Sequence, residues 1–334
     1  MAIDKIKLEN FTVFDDIDID FCKGVNVFIG ENGTGKTHLL KVMYCMCRTQ
    51  RGVDIPRVFC PLDEFFVGYC GVEQDRKMFS GYNKTSAYSV KINIDNDEIG
   101  CVPGGYHQPS HEIDWKPAIF IPTKEMLSHS KGLLALDRER DIPFDKTLID
   151  IVAKAELGES KSISQLSQKL LNNLSGIIDG KVIYEEDTFY IVKNNGQKIE
   201  FSMEAEGLRK FGLLWKLIRN GLIEKNTILF WDEPEANINS QLIPNIVEIL
   251  LELQRNDVQI FLATHDYNLA KYFEIKQKQG DNVVYHSLFK TESGVQYAKA
   301  VTYRDIVNNP IEEANEKLYN DILNSAFGEV TKDE

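Results

Sequence analysis

The chain has 334 residues, 43% of them hydrophobic, enough core for one large or two small domains, and a formal net charge of −13. No run of about eighteen apolar residues occurs, so no membrane-spanning helix is expected, and the acidic balance argues against a broad nucleic-acid surface while leaving room for a local one. Six cysteines form no CxxC pair and no zinc spacing, and the opening MAIDKIKLENF alternates like a strand without the apolar stretch of a signal peptide, so a reduced, cytoplasmic chain is expected.

Residues 4–30 read as strands, the last built on Val25, Val27, Phe28 and Ile29. They lead into Gly30-Glu31-Asn32-Gly33-Thr34-Gly35-Lys36-Thr37, which fits G-x-x-x-x-G-K-[ST] at every fixed position. Leu39, Leu40, Met43 and Cys47 then repeat at helical spacing, predicting a helix over about 36–48. Glycines in such a loop let backbone N–H groups turn inward around phosphates, and the helix N-terminus adds partial positive charge. The pattern predicts ATP held along Gly30, Asn32, Gly33, Thr34, Gly35 and His38. Lys36 is expected at the β- and γ-phosphates and the Thr37 hydroxyl on Mg²⁺.

A loop-rich stretch follows, then strand-like AYSVKINID (87–95) and KPAIFIP (116–122); between them, His107 and His111 in HQPSH read as residues of an exposed loop. Residues about 145–178 are helical in pattern, and KVIYEEDTFYIVKNNGQKIEF (181–201) reads as a hairpin turning at Asn194-Asn195-Gly196. Leu208, Phe211, Trp215 and Ile218 line one face of an amphipathic helix that Asn220-Gly221 closes. The apolar strand Ile228-Leu229-Phe230-Trp231 then ends in two adjacent acids, Asp232 and Glu233. Paired carboxylates there need a positive partner, and the Lys36 loop with Mg²⁺ supplies it. Asp232 is expected to hold the metal, and Glu233 to polarise the attacking water as general base.

A helix from about Ser240 to Gln254 and a strand, VQIFLAT (258–264), come next. His265 closes that strand about thirty residues past the acids, so it is expected beside them, hydrogen-bonding the γ-phosphate. VVYHSLFK and VQYAKA read as strands, 311–326 as a helix, and the acidic tail GEVTKDE as frayed. Strands alternating with helices indicate an α/β fold with a largely parallel central sheet.

With a Walker A loop at 30–37, a Walker B strand and acid at 228–233 and a switch histidine at 265, the chain resembles an ABC-type ATPase of the SMC/RecF/OLD-like branch. NFTVFDDIDIDFCKGVNVFIGENGTGKT is similar to that branch's opening, and DEPEANIN resembles the form found in OLD-like bacterial defence ATPases. AIFIPTKEML resembles the strand and turn serving as a Q-loop in RecF-like proteins. The resemblance is strong over about 1–50 and 200–270 and thin between. It implies a P-loop NTPase fold: an ABC-ATPase-like head with a central mostly parallel sheet, an antiparallel β subdomain and a helical lobe. Lobe I would comprise 1–125 and 225–300, lobe II 126–224, and a C-terminal helical extension 301–334. The family's L-S-G-G-Q is replaced by SMEAEGLRK (202–210), where Gly207 alone matches clearly. Gly207, with Arg209 or Lys210, is expected on the γ-phosphate of ATP held by a second copy. Asn237 and Asn239 replace the small residues and aspartate of the D-loop.

The resemblance further implies an ATP-dependent homodimer and a regulatory role in a bacterial anti-phage or toxin module with a separate effector such as a nuclease. About seventy residues follow His265, too few for a fused Toprim-type nuclease. The alternative is a RecF-like repair ATPase that binds DNA. Long coiled-coil arms are excluded by the lack of heptads between the loop and 202–210. A transporter motor is disfavoured by the degenerate signature and the large middle segment, and a GTPase by NKTS (83–86), which lacks the aspartate of N-K-x-D. Phe11 and Phe14 read as core rather than adenine-stacking residues. Ile311, Ala314, Leu318 and Ile322 form a stripe that offers a docking surface.

Overall fold

Two parallel neighbours fix the strand that carries the glycine loop. The computed structural model describes residues 2–48, 88–95, 97–102, 105–107, 117–140, 142 and 144–327. His111, the NKTS tetrapeptide, the loop-rich stretch from 49 and the GEVTKDE tail lie outside them. Strand β3 (Val25–Gly30) pairs in parallel with β12 (Gln259–Thr264) on one side and β13 (Val283–Thr291) on the other. β11 (Ile228–Asp232) lies beyond β12, and β7 (Ala118–Ile121) beyond β11, both parallel; β14 (Gly294–Ala300) closes the far edge antiparallel to β13. The resulting six-stranded order is β14-β13-β3-β12-β11-β7. β3, β7, β11 and β12 are buried throughout, as expected of strands covered on both faces.

The two-residue pleat divides these strands between two cores. Phe28, Phe120, Phe230 and Phe261 face one side, where they pack with α1 (Lys36–Arg48) and a second, antiparallel sheet. That sheet has the order β2-β1-β4-β5-β6, from β1 (Ile3–Phe11), β2 (Phe14–Asp20), β4 (Ser89–Ile94), β5 (Asp97–Val102) and β6 (Gly105–His107). Phe11 and Phe14 are fully buried in this core, so neither is open to stack on a base. Val27, Ile29, Trp231 and Leu262 face the other side. Against them lie α2 (Leu133–Glu139), α3 (Lys146–Glu156), α4 (Gln165–Ile178), α5 (Glu206–Arg219), α6 (Ile243–Gln254) and α7 (Tyr267–Lys276).

Several local expectations need correction. The 145–178 segment is helical as expected, in two helices that Asp145 and Ser164 each cap by accepting a backbone N–H. The segment read as a single hairpin is a three-stranded meander, β8 (Gly180–Glu185), β9 (Thr188–Lys193) and β10 (Lys198–Glu200). Its first turn is made by Glu186 and Asp187, both at positive φ without a glycine to announce it. His107 ends a strand rather than sitting in a loop. Cys22, Cys45 and Cys47 are free thiols, but Cys101 on β5 is disulfide-bonded, which corrects the expectation of a fully reduced set. The last helix, α8 (Pro310–Phe327), buries Ile311 and exposes Leu318, Tyr319 and Ile322. Among the described residues no helix is long and apolar enough to cross a membrane.

Candidate functional site

The loop after β3 is shaped by what glycine permits. Gly33 and Gly35 have φ of 76° and 89°, where side chains are rarely tolerated. A Cβ on Gly35 would lie 2.5 Å from Phe14 Cζ, and one on Gly30 2.3 Å from the Leu288 carbonyl oxygen. Glu31, Asn32, Gly33 and Thr37 are exposed along the rim. Thr34 is buried and donates to the Glu31 carbonyl at 2.9 Å. Lys36 is 6% exposed, and its Nζ donates to the carbonyls of Gly30 and Glu31, both at 2.8 Å. Burial pushes its pKa down to about 8, against the pull of Asp232 and Glu233. His38, one helical position past Thr37, is depressed to about 4 by burial and by Lys41. Its charged neighbours are Lys41 and Asp145, which pair with each other, and not the acids at the end of β11.

Those acids sit across from the loop. Thr37 Oγ1 donates to Asp232, 3.0 Å from Oδ2, and Thr123 Oγ1 donates to the same oxygen at 3.1 Å. Asp232 is buried, which raises its pKa, and the two hydroxyls oppose that rise. Glu233 follows at φ +48°, with its N–H on the Ala263 carbonyl at 3.0 Å. Its Oε1 lies 3.6 Å from His265 Nε2, too far for a hydrogen bond. Burial lowers the His265 pKa, with Lys36 adding to the effect, so this imidazole is neutral near pH 7. Glu235 fastens the two turns together: its Oε1 accepts from Thr264 Oγ1 at 2.7 Å and from the His265 N–H at 3.0 Å. Lys36, Thr37, Asp232, Glu233 and His265 thus converge from β3, α1, β11 and β12. The donor set is hydroxyl and carboxylate oxygen, which suits Mg²⁺ held jointly with phosphates.

The segment at the signature position meets other parts of the same chain. A Cβ on Gly207 would stand 3.0 Å from the Asn237 carbonyl oxygen, so the start of α5 packs tightly on the loop after the acids. Glu206 Oε1 accepts from Asn237 Nδ2 at 2.8 Å. Arg209 pairs with Glu125 at 3.3 Å, and this nearly enclosed carboxylate also accepts the N–H groups of Leu127 and Ser128. Lys210 is 2% exposed and its Nζ donates to the Glu233 carbonyl at 3.1 Å. Within one chain, then, Gly207 and Arg209 touch Asn237 and Glu125.

Thr123, Glu235 and Lys290 lie outside the residues the sequence points to, and Lys210, expected on the γ-phosphate of a second copy, reaches Glu233 of its own chain instead. Thr123 and Glu125 lie in the turn after β7, and that strand–turn pattern was their signal. Lys290 gave none; it comes from the end of β13 and donates to the Asn32 carbonyl at 3.0 Å. Beside it a cavity of about 610 Å³ opens between Gly33, the β1–β2 turn (Thr12, Val13) and Asp15. A second, of about 320 Å³, lies between the loop at 30–32, His265 and the start of α8.

A family profile described as "AAA domain, putative AbiEii toxin, Type IV TA system" matches residues 85–271, more than half of the chain. The match includes the acids and His265 but not the glycine loop. The DNA replication and repair protein RecF of Cytophaga hutchinsonii is 46% identical over 50 residues, 15% of this chain and 13% of that protein. RecF of Thermoanaerobacter pseudethanolicus is 29% identical over 98 residues, 28% of this chain and 27% of that protein. The chain therefore spans only a small part of these relatives. The SMC head domain from Thermotoga maritima superposes with a TM-score of 0.50 at 12% identity, over 90% of this chain and 99% of that one. The Smc head with an extended coiled coil, bound to the C-terminal domain of ScpA and derived from Pyrococcus furiosus, gives 0.51 at 10% identity, over 96% and 99%. At such identities the likeness is one of fold alone.

Proposed function

The chain belongs to the AAA-domain family, and from that premise we propose that it is an ABC-type ATPase of the SMC/RecF branch that binds Mg-ATP at the Lys36 loop and hydrolyses it with Glu233 as general base. The observation that carries this reading is the Thr37–Asp232 contact at 3.0 Å, with Glu233 next in the chain and His265 beside it. Lys36 would exchange its two loop carbonyls for phosphate oxygens, and binding an anion would favour its charged form. Thr37 and Asp232 would hold Mg²⁺. The ion they would hold would supply positive charge against the phosphates. Glu233 would accept the proton of the attacking water, and neutral His265 would donate a hydrogen bond toward the γ-phosphate. The adenine ring would enter the cavity of about 610 Å³ beside Lys290.

In the same reading ATP closes a head-to-tail homodimer in which Gly207 and Arg209 of one copy meet the nucleotide of the other. Arg209 would have to leave Glu125 to do so, making that ion pair a marker of the open state. The family description, which names a putative toxin of a toxin–antitoxin system, supports placing the chain in a toxin module; in this proposal the module serves in anti-phage defence and the chain is a cytoplasmic ATPase that regulates a separate effector such as a nuclease. A RecF-like role on DNA is the second reading, favoured by the short stretches of identity to RecF; ATPase stimulated by DNA and falling steeply with salt would select it.

Glu233→Gln tests the central claim. The variant should bind a fluorescent ATP analogue as the parent does, release phosphate at least about 10²-fold more slowly, and accumulate as an ATP-bound dimer in light scattering. Turnover at the parent's rate would remove Glu233 from the base role.

A further inference from the structure

We infer that Lys210 is a positioning residue of the hydrolysis centre: from α5 its ammonium holds the backbone of Glu233 and so aims the carboxylate of the same chain. This rests on the proposed role of Glu233 as base. Three observations carry it. First, Glu233 stands at φ +48°, a strained conformation for a non-glycine residue that persists only where its surroundings enforce it. Second, both flanks of that residue are pinned. Its N–H is fixed by the Ala263 carbonyl on β12, and its carbonyl accepts from the Ala236 N–H at 3.1 Å and from Lys210 Nζ at 3.1 Å. Third, Lys210 is 2% exposed, so its ammonium has left bulk water for this position. A buried charge needs compensation, and the acids that supply it are Glu235, Glu206, Glu233 and Asp232.

The same helix fixes the lysine's aim. Gly207 lets α5 approach the 237–238 backbone, and Glu206 bonds Asn237, so the helix start and the turn after Glu233 form one packed unit. Arg209, one residue before Lys210, reaches instead to Glu125 in the turn after β7. Adjacent bases on α5 thereby grip two turns, one bearing Glu125 near Thr123 and one bearing Glu233. A shift of α5 against the central sheet changes the aim of the base through Lys210, which itself need not touch the nucleotide.

Lys210→Met removes the ammonium at similar volume, Lys210→Gln does so with a polar chain one step too short, and Lys210→Arg keeps a charged donor. Phosphate release, affinity for a fluorescent ATP analogue, and amide hydrogen exchange over 232–238 are measured for each. Met and Gln should lower kcat by about 10²-fold with affinity unchanged within about threefold, and should speed exchange at Ala236 at least tenfold while other segments keep parental rates. Arg should recover kcat to within about tenfold of the parent. A merely structural lysine would lower affinity and exchange protection throughout the chain, and Arg would not restore kcat selectively. Parental kcat in a folded Met or Gln variant, or parental exchange at 234–238, overturns the inference. A parent without ATPase activity would instead overturn the functional reading, and the exchange measurement would still decide whether Lys210 holds the turn.

Discussion

A single methyl group added at Gly35 tests the architecture of the loop. Gly35 has φ +89°, and forcing an L-residue into the left-handed half of conformational space costs about 1–2 kcal/mol. The new Cβ would also stand 2.5 Å from Phe14 Cζ and 2.6 Å from Val13 Cγ2. Phe14 is fully buried and has nowhere to retreat, so overpacking adds about 1–3 kcal/mol. Gly35→Ala should therefore destabilise by about 2–5 kcal/mol. Gly33→Ala is the internal comparison. Its φ of 76° brings the same conformational cost, but its Cβ meets only the flexible end of Lys290, at 3.4 Å; about 1–2 kcal/mol is expected. Urea denaturation of parent and both variants, with equal m-values, reads the difference. The analogue-binding assay should show Gly35→Ala weaker by at least about tenfold, the equivalent of 1.4 kcal/mol. Equal losses from the two substitutions would show that Phe14 and Val13 do not brace the loop.

Further outcomes follow from the charges. If the Lys36 ammonium clamps phosphate, analogue affinity should be constant below pH 8 and weaken about tenfold per pH unit above it, because only the protonated amine binds and its pKa in the free protein is about 8; an affinity flat to pH 10 excludes the clamp. His286 is fully buried, with Nε2 donating to Asn26 Oδ1 at 3.0 Å and burial pushing its pKa down to about 3 from 6.5. Between those values the unfolded chain holds a proton that the folded one lacks, so stability falls as pH drops from 6.5 toward 3, by about 1.4 kcal/mol per unit from this residue. His286→Gln should flatten that slope in urea titrations at pH 7, 6 and 5, and an unchanged slope refutes the assignment. Thr123→Val deletes the 3.1 Å hydroxyl bond to Asp232 at constant shape. The Mg²⁺ concentration giving half-maximal ATPase should rise about fivefold, the scale of one hydrogen bond near 1 kcal/mol, with metal-free nucleotide affinity unaltered; no change in Mg²⁺ requirement would place Thr123 outside the metal's environment.

The nucleotide loop, the acid pair and the parallel sheet were legible because each is written contiguously. A loop that wraps phosphates needs its glycines at fixed spacing, and a doubly covered strand needs an unbroken apolar run such as Ile228 to Trp231. What was not legible depends on neighbours remote in sequence. Arg209 and Lys210 are adjacent bases, and nothing local says which one turns inward; the packing of Gly207 on Asn237 rotates Lys210 to Glu233 and leaves Arg209 to Glu125. Lys290 reaches the loop only because β13 is a neighbour of β3. The Glu186-Asp187 turn was missed because two acidic residues occupy a backbone region usually signalled by glycine or asparagine.

The place of β3 in the sheet bears on how the protein comes into being. Val25 pairs with Ile260 on one edge and with Val283 on the other. A chain emerging from the ribosome can close β1 on β2, and later β4 on β1, from material already made. β3 has to wait, with the N–H and C=O groups of both edges unpaired, until β12 and β13 have been synthesised. The glycine loop therefore sets only after β13 is made, and a chain cut before β13 leaves β3 without one of its two neighbours. Stalling translation before β13 should yield products that depend on chaperones rather than on ATP for solubility.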